Sequence, residues 1–92
     1  MALQIQSSPS NPADASEIAT TMRERILEAL PGADATVTPL SPGHFEIRVV
    51  SAAFEGESRV RQQQLVYGAI APLMKGDAAP VHAIDRLQTE LP

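Results

Sequence analysis

His44 and His82 are the only two histidines of the chain, and there is no cysteine. Missing thiols exclude thiolate metal sites and a cysteine nucleophile, so the two imidazoles are the soft ligands available to a metal. His44 follows Gly43 at the head of an alternating run, and His82 sits near the head of another. Taken alone, a strand histidine is most often structural or solvated, and one beside a glycine is well placed to hydrogen-bond a turn. Hydroxyl chemistry has less to work with. Ser41, Ser51 and Ser58 lie in no nucleophile motif, and no acid–base pair stands out. Glu55 and Glu57 flank Gly56 and read as solvated turn charges, while Tyr67, on a helical stripe, is expected in the core. These residues point away from an enzyme.

Arg59, Arg61 and Lys75, joined by Arg48 and Arg86, would make a basic patch if the fold gathered them. The formal charge of −4 favours solvated surface charge instead, since domains that live on phosphate binding are usually basic. The 92 residues suit one small domain, and 43% apolar residues allow a thin core. With no Trp, one Tyr and two Phe, aliphatic side chains must do most of the packing. No disulfide braces the chain, and the lack of cysteine weakly favours a cytoplasmic setting. No apolar run is long enough to span a membrane. Residues 1–12 are polar with two prolines and lack the features of a signal peptide. They read as a loose tail before a single domain over residues 13–92. The free protein is expected to be a monomer or weak dimer.

The elements that must position the histidines follow from periodicity. A first helix is expected to start near Asn11 to Asp14, with Asn11–Pro12 as cap and first position, or Asp14 or Ser16 as a later cap. Ile18, Met22, Ile26, Ala29 and Leu30 mark one face, Glu24 and Glu28 the other, and Pro31-Gly32 stops the helix. Ala33 to Thr38 alternates as a short strand, burying Ala33, Ala35 and Val37. After the Pro39–Gly43 loop, His44 to Ser51 is the clearest strand, with Phe45, Ile47 and Val49 on one face. The two strands suggest a hairpin. Phe54 closes the strand, Gly56 allows a reversal, and Ser58 caps a second helix. Its stripe is Val60, Tyr67, Ile70 and Met74, widened by Leu65, Val66 and Leu73, with Pro72 kinking or breaking it. A third strand is expected over Val81 to Gln88, with Val81, Ala83 and Leu87 on one face and His82, Ile84 and Arg86 on the other. The order α-β-β-α-β makes the third strand parallel to the second and puts two helices on one face of a three-stranded mixed sheet, an α+β fold.

Several blocks carry a resemblance. Gly43-His44-Phe45, Val49-Val50-Ser51, Phe54-Glu55-Gly56, Ser58-Arg59, Leu65-Val66-Tyr67 and Val81-His82-Ala83 together resemble the BolA family, over roughly residues 15–88. Within it, Ser58 to Gly68, with glutamines before Val66-Tyr67-Gly68, looks most like the IbaG (YrbA) branch. The Arg-His-Arg usual in the other branch is missing. The resemblance implies a fold similar to class II KH domains and a monothiol glutaredoxin as partner. In such pairs a [2Fe–2S] cluster is shared: the BolA-like chain supplies a histidine from the start of its third strand, here His82, and a second ligand from the hairpin loop. The loop position that is Cys in some relatives matches Ser41, a poor ligand, which leaves His44. Two histidines do not hold a cluster alone, so a partner Cys and a glutathione thiol are implied, and no cofactor is expected on the isolated chain.

Cluster delivery or regulation of iron handling would follow from that reading. An apo adaptor that binds glutaredoxin without a cluster is a plainer alternative. A KH-like nucleic-acid regulator is another, using Gly56, Arg59 and Arg61 on DNA. KH domains clamp the backbone with Gly-x-x-Gly. Here the turn reads Gly56-Glu57-Ser58-Arg59, with one glycine and an added acid, and few aromatics are available for base stacking.

Overall fold

The computed structural model describes residues 14–92, so the expected tail and the Asn11–Pro12 helix start lie outside the described residues. The chain runs α1 (Ala15–Ala29), β1 (Asp34–Pro39), β2 (His44–Val50), α2 (Arg59–Ile70) and β3 (Ala83–Glu90), with 3-10 turns at Ala52–Phe54 and Ala71–Met74. The sheet order is β1-β2-β3, antiparallel then parallel. This is the α+β order read from the sequence.

Asp14 caps α1. Its carboxylate accepts from the Ser16 hydroxyl (2.7 Å) and from the backbone N–H groups of Ser16 (2.7 Å) and Glu17 (3.4 Å). Those bonds, the Ser16 hydroxyl first, hold its pKa below the ordinary value. The buried line is Ala19, Met22, Ile26 and Leu30, with Ile18 half-buried; Ala29 of the expected face is exposed. Against it lies the face of β2 that carries Phe45, Ile47 and Val49, each fully buried. The hairpin register pairs Ala35 with Val49 and Val37 with Ile47, so β1 adds its small apolar residues to the same layer.

Two expectations for the crossover are corrected. Phe54 does not close β2, which ends at Val50. Buried Ser51 accepts from the Ala53 N–H at 3.1 Å and starts a 3-10 turn, whose last residue, Phe54, is 1% exposed. In α2, which Ser58 caps by accepting from the Arg61 N–H at 3.1 Å, the buried residues are Val66 and Ile70. Val60 is 63% and Tyr67 38% exposed. At about 100° per residue, Val60 and Tyr67 fall on one line, roughly 60–120° around from Ile70 and Val66. The buried line begins instead at Gln62, whose amide donates to the carbonyls of Phe54 (3.3 Å) and Glu57 (3.0 Å) and accepts from the Thr89 hydroxyl (2.7 Å). Pro72 ends the α-helix as expected: α2 stops at Ile70, and the proline sits in the 3-10 turn Ala71–Met74.

The third strand is displaced from its expected span. Val81 is buried in the core with its N–H donating to the Leu73 carbonyl (3.1 Å), and pairing starts at Ala83 and continues to Glu90. Ile84 pairs with Phe45 but Arg86 with Glu46, so Asp85 is an extra residue, a bulge. A bulge resets the alternation. Ile84 and Leu87 therefore pack on the core and Thr89 is buried, which overturns the expected grouping of Ile84 with His82 and Arg86.

Candidate functional site

The starts of β2 and β3 lie side by side because the strands are parallel. The loop before β2 is tight. The Ser41 carbonyl accepts from the His44 N–H (2.8 Å), with Pro42 and Gly43 at the corners and Gly43 at φ 79°, the pattern of a type II turn. The Gly43 carbonyl then accepts twice, from the N–H groups of His82 (2.8 Å) and Ala83 (3.1 Å). Its Cα also supports the His82 ring: a Cβ at position 43 would stand 2.6 Å from His82 Nδ1 and 2.7 Å from Cγ. Glycine is needed here both for the backbone angle and for the approach of the imidazole.

His44, the next residue, pairs with Ala83 across the strands. The fold thus gathers both histidines at one end of the sheet, linked through Gly43. His82 is exposed, and the His44 side chain is 39% exposed. His44 Nδ1 lies 2.9 Å from Asp85 Oδ1. Asp85 is a member of this site that reading the sequence missed. Its only local signal is the Asp85-Arg86 pair, which interrupts the period of two in the strand. Ser41 is exposed beside the histidines and contributes its backbone carbonyl to the turn.

Among the described residues no group of three or more His, Cys, Asp or Glu is placed to hold a metal ion. The donor set at this end is two imidazoles, one braced by a carboxylate and one by a glycine. That set suits an iron shared with ligands from outside the chain, because imidazole replaces thiolate on one iron in Rieske-type centres.

Gly56, Arg59 and Arg61 lie at the opposite end of β2, a seven-residue strand about 20 Å long. All three are exposed, and Gly56 has φ 81°. The Ser58 hydroxyl is occupied as helix cap, and Glu55 and Glu57 are exposed beside Gly56. The five basic residues do not gather. Arg48 forms a two-point pair with Glu90 (3.1 and 2.8 Å), whose hydrogen bonds raise the arginine pKa and lower that of the carboxyl. Lys75 follows the far end of α2, about 18 Å along a 12-residue helix, and Arg86 sits opposite Glu46. No described helix is long and apolar enough to cross a membrane.

Residues 27–90 match the family model described as BolA-like protein. Human BolA-like protein 1 is 44% identical over 48 residues, 52% of this chain and 33% of the relative, so the match spans a third of that protein's length. Among solved structures, BolA1 from Arabidopsis thaliana superposes with a TM-score of 0.66 at 25% identity, covering 82% of this chain and 92% of the other. Yeast Fra2 gives 0.61 at 28% identity, covering 79% and 77%.

Proposed function

Because the chain belongs to the BolA family, we propose that it works as a non-enzymatic partner of a monothiol glutaredoxin and shares a [2Fe–2S] cluster with it. His82 is the first ligand and His44 the second. The observation that carries this reading is the placement of both imidazoles at one sheet end, with the His82 ring seated on Gly43 and His44 the next residue. The cluster is cargo held between chains, and the partner's thiolate and a glutathione thiol complete its ligands. This chain's own part is to present two ring nitrogens at an accessible edge and to let the loop and the third strand hold them at a fixed spacing. Iron–sulfur trafficking or iron regulation in the cytoplasm is the corresponding role. Gln62-Gln63-Gln64 before Leu65-Val66-Tyr67-Gly68 supports assignment to the IbaG-like branch.

The test is reconstitution of the full chain with a monothiol glutaredoxin, iron, sulfide and glutathione. A coloured heterodimer is expected, with a visible circular dichroism spectrum that changes when His82→Ala is substituted. An unchanged spectrum would remove His82 from the ligand set. Association without colour, in wild type as in the variant, would leave an apo adaptor.

A further inference from the structure

The bulge in β3 has a chemical effect. Regular pairing after Ile84–Phe45 would set Asp85 opposite Glu46, two like charges on directly facing positions. The bulge places Arg86 opposite Glu46 instead and leaves Asp85 outside the ladder, where its carboxylate meets His44 at 2.9 Å. Bulges re-aim single side chains, and they are common beside functional sites.

We propose that Asp85 is a positioning residue that holds His44 as the Nδ1–H tautomer and makes Nε2 its coordinating atom. This rests on reading His44 as the second ligand. An ionised carboxylate only accepts hydrogen bonds, so in the 2.9 Å contact the proton sits on Nδ1. A neutral imidazole has one lone pair to give, and that pair is then on Nε2. Metal-binding histidines commonly donate their other N–H to a carboxylate, which fixes the ring and raises its basicity. The His82 ring is held differently. Its face rests over Gly43, where an added Cβ would stand 2.6 Å from Nδ1 and 2.7 Å from Cγ. Packing on the glycine thus places that ring, while a carboxylate orients His44.

Nitrogen-15 NMR of the imidazoles in the free full chain tests this directly, without any cluster. His44 is expected as Nδ1–H in the wild type and to move toward Nε2–H in Asp85→Ala. Asp85→Asn, whose Oδ1 still accepts, is expected to keep the wild-type tautomer. In the glutaredoxin heterodimer, Asp85→Ala should weaken cluster retention by about 10–100-fold, and Asp85→Asn should stay near wild type. Retention is measured by competition with a chelator, and binding of the cluster-free partner serves as the folding control. A wild-type His44 found mainly as Nε2–H, an unmoved tautomer in Asp85→Ala, or equal retention in all three proteins would overturn the proposal. If the wild-type heterodimer takes up no cluster, the proposed function fails, and the free-chain tautomer still decides whether Asp85 sets the nitrogen.

Discussion

The two ends of β2 use polar groups in opposite ways. At the far end, Gln62 spends its amide on the carbonyls of Phe54 and Glu57 and on the Thr89 hydroxyl, Ser51 caps the 3-10 turn, and Ser58 caps α2. At the histidine end, backbone groups close the loop, while the imidazoles remain at the edge with their Nε2 atoms unpartnered among the described residues. An end that satisfies its polar groups internally holds the crossover in place. An end that keeps ring nitrogens available has something to offer a partner. The exposed arginines near Gly56 belong by position to the first kind of end.

Substitutions separate the two. Phe54→Ala should have the largest effect on stability, about 3–5 kcal/mol in denaturant melts, because a fully buried ring at a small domain's crossover is lost. Gly43→Ala should cost about 2–4 kcal/mol from the positive φ and the clash with the His82 ring. Unlike Phe54→Ala, it should also move the His82 ring resonances in the protein that remains folded. A Gly43→Ala chain with wild-type His82 resonances would mean that the ring does not rest on that glycine. Thr89→Val, at the opposite end, leaves the Gln62 oxygen without its donor and should cost about 1–2 kcal/mol. Resonances of His44 and His82 should stay in place there, and a shift would show that the ends are coupled.

Acid supplies the smallest test. Asp14 and Glu90 both titrate lower in the folded chain than their ordinary values. Their contribution is therefore full above the unfolded carboxyl value near ~4 and drains away as pH falls through the folded value. Melting temperature should fall as pH drops below that point. Asp14→Asn and Glu90→Gln together should flatten the fall, and an unchanged slope would discount both carboxyls.

The architecture was legible where apolar spacing was regular. Phe45, Ile47 and Val49 in β2 and the break at Pro72 followed directly from it. The α2 stripe misled because the first residue of its buried line is Gln62, a polar side chain whose partners come from distant segments. Val60 and Tyr67 filled the pattern and turned out to be exposed. The start of β3 was set by tertiary contacts, with Val81 drawn into the core and Gly43 capturing the next two N–H groups. The histidine pair was read from the family resemblance, since spacing alone left both as ordinary strand residues. Asp85 stayed hidden because a bulge depends on the partner strand, and the Asp85-Arg86 pair that breaks the alternation does not by itself say which residue leaves the ladder.

The contact between His44 and Asp85 joins residues 41 apart in the sequence. Closing so long a loop costs entropy before the contact can repay it, and parallel pairing is slow for that reason. Every β2–β3 pair closes a loop of similar length, so the two histidines come together only when the parallel strands pair. A nascent or partly unfolded chain displays its imidazoles at unrelated positions, and only the finished domain presents them as a pair.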